Sequence, residues 1–382
     1  MNAKPLVPIL TRRDFVSGSA RTAAAWSLLP FNDGHAKTMA AQHVVSLGAL
    51  AAEKGLLFGG SFSVAELDAT GGAKYGDLYK QQAQVLTSEL EFKIASLRPT
   101  PDSVNFGPAE RLIAFAKANG QKVRGHTLIW NDYLPDWIKA LGPLETERFL
   151  EQHLILVMSR YRGQVFEWDV VNEPIGPWDK LPGNLRGGLF YAALGESYIE
   201  RSFRLAKQLD PSARLFLNEA QTETDDENGR VFRQSFLALL RRLADKGVPI
   251  TGVGLQCHLT SKAPYNFEKF AAFIHEIAAL GFEISITELD VNDAAFPDSV
   301  TDRDKRVAQL YAQFLSSVLP IQAVKLLTTW QMMDEKSWLW YSDVEKKPTA
   351  RRRPRPLLFD GRYKPKPAYY AVADALRASP AR

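Results

Sequence analysis

The chain has 382 residues, 46% hydrophobic, 24% charged and 11% aromatic, a composition that suits a globular protein with a large core and excludes a disordered one. Its single cysteine, Cys257, excludes an intramolecular disulfide and a cysteine-based zinc cluster, and no run reaches the ~18 apolar residues of a membrane span. Of the net charge of +4, +3 lies within residues 1–40, so the near-neutral remainder gives no electrostatic case for nucleic acid or an anionic membrane as partner.

In chain order, the first feature is Thr11-Arg12-Arg13-Asp14-Phe15-Val16, which resembles a twin-arginine export signal. The weakly apolar stretch after it holds Arg21 and ends near Leu28-Leu29-Pro30, a polarity that fits that route better than the general secretory one. A chain without disulfides can fold in the reducing cytoplasm before export. Residues 1–40 are therefore read as an export signal and flexible lead, with the twin-arginine machinery as a transient partner. The mature protein is expected to be bacterial, and periplasmic or secreted.

From Leu57 onward, short apolar runs alternate with longer amphipathic ones. Strands are predicted at 57–63, 90–95, 122–130, 165–172, 213–219, 252–259, 283–289 and 324–331. Helical periodicity lies between them at 108–119, 145–161, 198–209, 229–246, 267–280 and 303–318, and again at 367–378. Gly120, Gly247 and Gly281 stand where helix stops are wanted. Strict β-α alternation implies parallel strands and right-handed crossovers. Eight units point to a closed (β/α)8 barrel, an α/β fold of TIM-barrel type, with an open doubly wound sheet as the alternative. With neither a linker nor a repeat in sight, residues 41–382 are read as one catalytic domain.

Chemistry in such a barrel sits at the C-terminal strand ends, and polar and aromatic residues interrupt the apolar runs there. Strand three runs into Gly125-His126-Thr127-Leu128-Ile129-Trp130-Asn131 and strand four into Trp168-Asp169-Val170-Val171-Asn172-Glu173. Strand six carries Gln256-Cys257-His258, strand seven Ile286-Thr287-Glu288-Leu289-Asp290, and strand eight ends Thr328-Thr329-Trp330. Two carboxylates at one barrel mouth, among His, Asn, Gln and Trp, form a constellation for glycoside hydrolysis: one carboxyl protonates the leaving oxygen while the other attacks or activates water. Tryptophan faces stack on sugar rings.

These segments, with Asp334-Glu335-Lys336-Ser337-Trp338, Leu357-Leu358-Phe359-Asp360 and Lys366-Pro367-Ala368-Tyr369, resemble glycoside hydrolase family 10, the xylanases, over about residues 55–378. The resemblance implies a retaining endo-β-1,4-xylanase acting on xylan or xylo-oligosaccharides, with Glu173 as acid/base and Glu288 as nucleophile. It implies that Asn172 binds the 2-hydroxyl of the −1 sugar and that His258 stands beside the nucleophile. Glu89, Lys93, His126 and Gln256 would line the glycone side, with Trp330 and Trp338 beneath the −1 ring and Trp130 as a further sugar contact. No metal or cofactor is expected, and a monomer is. Glu173 is expected to stay protonated near neutral pH through burial and the charge of Glu288, then to act as base once Glu288 is esterified.

Departures from the family pattern bear on substrate. Leu90 stands where an asparagine contacts the −2 sugar, Asn131 replaces a histidine, Tyr133 replaces a common glutamine, and Asn218-Glu219-Ala220 lacks the usual aromatic. A weakened −2 site is expected from Leu90. A same-mechanism barrel preferring β-1,4-glucan or short xylo-oligosaccharides stays open, as does a non-catalytic glycan-binding barrel, although a barrel without turnover usually loses one carboxylate. Other eye-catching residues have plainer readings. His153 and His275 lie in helical patterns as core or surface fillers, and Trp168 packs in the core. Cys257 should point outward to the helices as a buried thiol. The acidic run Glu223, Asp225, Asp226 and Glu227 lacks calcium-ligand spacing and enters a helix. Arg351, Arg352, Arg353 and Arg355 lie on a Pro-broken loop on the site face.

Overall fold

Strands buried on both faces must be apolar nearly throughout, and the apolar runs of this chain close on themselves. The computed structural model describes residues 44–340 and 352–382; the twin-arginine segment and Arg351 lie outside them. The strands are β1 (Leu57–Phe62), β2 (Val85–Ser88), β3 (Lys122–Gly125), β4 (Glu167–Asn172), β5 (Arg214–Glu219), β6 (Gly252–Leu255), the short β7 (His258–Thr260), β8 (Glu283–Asn292) and β9 (Val324–Thr329). Each pairs in parallel with its neighbour; β1 also pairs with β9, with Phe58 beside Leu327, and β6 with β8, with Leu255 beside Ile286. Eight strands thus form a closed parallel barrel with helices between them, and β7 extends the edge of β8.

The sequence misplaces one strand. The second is Val85–Ser88, and the expected 90–95 is the turn that follows it. Leu90, Glu91 and Phe92 alternate as a strand should, but the alternation belongs to a loop in which Glu91 accepts the backbone N–H groups of Val64 (2.8 Å) and Leu90 (3.1 Å). The sixth predicted run, 252–259, divides into β6 and β7 at Cys257, which has φ +58°. The helices fall within about three residues of expectation, from Gly107–Ala118 to Pro367–Ala378. Asp226, Asn266 and Ser299 cap three of them through side chains that accept the N–H three residues on. Gly120, Gly247 and Gly281 are left-handed, at φ +65°, +60° and +89°.

The barrel interior is not wholly apolar. Arg124 on β3 is fully buried between Glu167 (2.9 Å) and Asp169 of β4. Glu167 also meets Ser285 of β8 at 3.4 Å. Trp168 and Cys257 are fully buried.

His153, on the helix Pro143–Arg160, is fully buried and stacks on Phe149 at 5.7 Å. Burial, reinforced by the charge of Arg98, drives its pKa down to about 3. The unfolded chain, near the ordinary value of ~6.5, binds a proton first, so stability falls as pH drops from about 6.5 toward 3, by roughly 1.4 kcal/mol per pH unit at most. His153→Leu should therefore lose less melting temperature than the parent between about pH 6 and 4. Equal slopes would remove His153 from the acid response.

Candidate active site

Both predicted catalytic carboxylates stand where a strand breaks step. Along β4, Glu167 and Asp169 face inward, and plain alternation would bring Val171 in next. Instead the register with β5 shifts between Asp169 and Val171, so that Asn172 lies opposite Asn218. On β8, Ser285 and Thr287 face inward, and a second shift between Ile286 and Leu289 turns Glu288 into the mouth. Such one-residue bulges re-aim side chains at functional sites. Glu173 follows directly, with φ +54° and its N–H bonded to the Asn218 carbonyl at 2.8 Å.

The two carboxyls are joined by a line of amides. Asn218 Nδ2 donates to Glu288 Oε1 and to Asn172 Oδ1, both at 2.8 Å. Gln256 Nε2 donates to Asn172 Oδ1 at 3.3 Å and to Glu173 Oε1 at 3.0 Å. With its oxygen held by two amides, Asn172 presents its own N–H2 to the cleft. Thr287 Oγ1 donates to Asn218 Oδ1 at 2.8 Å and fixes that amide's orientation.

Glu288 and Glu173 have different surroundings. Glu288 Oε2 lies 3.1 Å from His258 Nε2, and His258 Nδ1 lies 2.9 Å from Asp290 Oδ1. The second contact pairs the imidazole with a buried carboxylate. Burial alone would raise the Glu288 pKa; the His258 hydrogen bond and the charges of His126 and His258 outweigh it and bring the value down to about 2. Burial works against charge on His258 too, yet Asp290 and Glu288 lift it to about 10. Both are therefore charged at neutral pH, an anion and the cation that holds it.

Glu173 has three donors. Trp130 Nε1 reaches Oε2 at 3.1 Å, Gln256 reaches Oε1, and Arg186 Nη1 reaches Oε2 at 2.7 Å. Arg186 Nη2 is held by Asp132 at 2.6 Å. Behind Arg186, Glu219 accepts the N–H groups of Ile175 (2.9 Å) and Ala220 (2.8 Å), and burial together with the charge of Glu173 pushes its pKa well up.

The remaining predicted residues gather around the same mouth. His126 Nδ1 meets Asp169 Oδ2 at 2.9 Å, which links the site to the Arg124 cluster below. Lys93 is buried with its ammonium 4.9 Å from the rings of Trp130 and Tyr133 and 5.8 Å from Trp330. Burial lowers its pKa, and Glu89, Glu288 and Glu173 limit the drop. Glu89 accepts from Gln331, whose own Oε1 accepts the Tyr79 hydroxyl at 2.8 Å; burial raises Glu89 to about 7. Trp330 lies edge-on to His126 at 5.3 Å, and Trp338 meets His258 at 5.4 Å while its N–H donates to Asp290 at 2.7 Å.

Sequence reasoning missed Asn218, Asp169, Asp132 and Arg186 as parts of the site. Asp169 was detectable, because Glu167 and Asp169 two apart on a strand, beside Arg124 on the next, mark a charged barrel interior. Arg186 had no such signal. The acidic run has a structural role: Asp226 caps the helix Glu227–Asp245, Asp225 pairs with Lys269 at 3.0 Å and Glu227 with Arg230. Arg352 is bound by Asp298 (2.9 Å) and the carbonyls of Asp293, Ala294 and Phe296, Arg355 by Asp304 at 2.7 Å, and Arg353 lies 4.8 Å from the Trp340 ring.

The sequence model of glycosyl hydrolase family 10 matches residues 46–375. A β-1,4-xylanase of Dictyoglomus thermophilum is 34% identical over 306 residues, covering 78% of this chain and 83% of its own. The crystal structure of native xylanase 10B from Thermotoga maritima superposes with a TM-score of 0.77 at 32% identity, covering 87% of this chain and 98% of that one. Xylanase 10B of Thermotoga petrophila, solved with xylobiose, gives 0.77 at 32% identity over 87% and 97%.

If His258 holds Glu288 ionised, His258→Asn should raise the acid limb of the kcat/KM profile by a pH unit or more. An unmoved acid limb would mean that Asn218 and His126 keep Glu288 ionised without it.

Proposed function

The chain belongs to glycosyl hydrolase family 10, and from that membership we propose that it is a retaining endo-β-1,4-xylanase that cleaves internal bonds of xylan by double displacement. The observation that carries this reading is the contrast between the two carboxyls. Glu288 is held as an anion by a charged histidine and an amide, while Glu173 sits among donors across the cleft, joined to it through Asn218, Asn172 and Gln256. In the first step a Glu288 oxygen bonds to the anomeric carbon as the glycosidic C–O bond breaks, and the proton of Glu173 passes to the leaving oxygen. In the second, a water oxygen bonds to that carbon, its proton goes to Glu173, and the ester to Glu288 breaks. Asn172, with its oxygen fixed, offers an N–H to the neighbouring hydroxyl of the −1 sugar. Trp330 supplies the floor of that site, and Lys93 and Glu89 its glycone side. Names of relatives and the xylobiose complex support xylan as the substrate class.

Retention is tested by the product: proton NMR of xylotetraose hydrolysis should show the β-anomer first, whereas initial α-anomer would mean inversion and carboxyls ~6.5–9.5 Å apart rather than ~5–5.5 Å. Glu288→Ala should abolish turnover on every xyloside. Glu173→Ala should impair poor leaving groups far more than activated aryl ones, and equal losses would overturn Glu173 as the acid.

Leu90 sharpens the substrate question. Its side chain is not packed beneath the rim: the residue is 38% exposed on the turn that carries Glu89 and Lys93. A sugar hydroxyl desolvated against it loses about 1–3 kcal/mol. Leu90→Asn should raise kcat/KM on xylotriose several-fold, and no gain would mean that Glu89 and Lys93 hold that sugar without it.

A further inference from the structure

Two departures, Asn131 and Tyr133, look at first like changes to the sugar cleft, yet their contacts, and those of Asp132 between them, lead to the acid. Trp130, just before them, donates to Glu173. Tyr133, left-handed at φ +56° and 60% exposed, stacks on Trp130 at 6.0 Å and 12°. Asp132 holds the far nitrogen of Arg186, whose near nitrogen holds Glu173. The Asn131 side chain lies against Gly188, where a Cβ would meet its Oδ1 at 2.5 Å; Gly188 also has φ +130°, so only glycine fits there. Gly187 donates its N–H to Asp179 Oδ2 at 2.7 Å, which fixes the same segment from the other side. Residues 130–133 and 186–188 are therefore fitted to one another, and the link between them is a bridge of two carboxylates on one guanidinium.

We propose that Arg186 is a positioning residue for the proton-transfer step and that Asp132 sets how strongly it acts on Glu173. The inference rests on Glu173 being the acid/base. Arg186 acts through the Glu173 carboxyl that it contacts. Its side chain is only 12% exposed, while Asp132 is 43% exposed, so one end of the bridge is in the barrel mouth and the other reaches water. As the proton of Glu173 moves to the leaving oxygen and the C–O bond breaks, the carboxyl becomes a carboxylate, and Arg186 stabilises it. When water attacks and its proton returns to Glu173, that interaction weakens again. Asp132 competes for the same guanidinium throughout, and so moderates it. Other charged groups that interact with Glu173 include Glu288 from β8, Lys93 from the turn after β2 and Glu219 from the end of β5; His258 and His126 act on Glu288. Asp132 is the member of this set that can be neutralised without emptying a buried partner.

The test is the alkaline limb of kcat/KM on xylotetraose, which reports loss of the protonated acid. Asp132→Asn leaves Arg186 wholly to Glu173, so the limb should move down by about half a pH unit. Arg186→Met removes the cation, so it should move up by about one unit or more. Arg186→Lys should hold it near its original place, and Asp132→Asn should have no effect on the limb in the Arg186→Met background. With a nitrophenyl xylobioside, whose leaving group needs little protonation, the rate of the glycosylation step should change little in Asp132→Asn. Unmoved limbs, limbs moving the same way, or loss of activity without a shift would each overturn the proposal and leave the bridge a structural brace. Because Asp132 is partly solvated, its variant should fold even if Arg186→Met does not. If Glu173→Ala fails the leaving-group test, the acid assignment is at fault; if it passes while Asp132→Asn leaves the limb in place, only this inference falls.

Discussion

Two carboxylates facing one another away from water is the arrangement on which the rest of this barrel mouth depends. Each would rather be neutral, since burial and the neighbouring negative charge both oppose ionisation. The chain answers with cations and N–H donors placed at fixed distances, and nearly all of them come from strand ends. That placement is possible because eight parallel strands converge on one opening. Residues as distant in sequence as Lys93, Glu173 and Glu288 thereby act on one another's charge, while the helices outside hold the strands in register.

The deeper cluster serves the same end. Arg124, Glu167 and Asp169 are buried below the site, and a cluster of this kind is weak evidence for stability, because desolvating the charges offsets much of their attraction. Its value here is orientation. Asp169, fixed by Arg124, holds Nδ1 of His126, and that imidazole faces Trp330 and acts on Glu288. An apolar floor of equal volume would pack as well and would leave the histidine without a fixed direction.

Much of this could be read from the residues in order. β-α alternation implies the barrel, polar residues at the ends of apolar runs mark both carboxylates with His126, Trp130, Asn172, Gln256, His258 and Trp330, and the family resemblance adds Glu89, Lys93 and Trp338; the fold brings them together. The limits have physical causes. Val85–Ser88 is only four residues long, and the more convincing alternation after it belongs to a turn held by Glu91. Neither register shift that turns Asn172 and Glu288 inward has a signature in hydrophobic alternation, which predicts the opposite face for both. Arg186 joins partners 13 and 54 residues away, a separation at which no local pattern operates. Asn131 and Tyr133 were visible as departures, but their consequence was assigned to sugar contacts because the segment they fit against, Arg186 to Gly188, is apparent only in three dimensions.

The two carboxyls of the mouth share a common construction that differs in one respect. Glu288 contacts His258, which contacts Asp290; Glu173 contacts Arg186, which contacts Asp132. Each is a carboxylate, a cation and an outer carboxylate. On the Glu288 side the outer member is buried and tied by the Trp338 N–H, so the histidine keeps its charge, and in the proposed mechanism a nucleophile that must be ionised in every cycle is served by a rigid anchor. On the Glu173 side the outer member reaches solvent, where its pull on the cation is screened. In the proposed mechanism Glu173 gains and loses a proton in each cycle, and such a group cannot be held as firmly as one that must not. The difference in burial between Asp290 and Asp132 follows the difference in what the two inner carboxyls have to do.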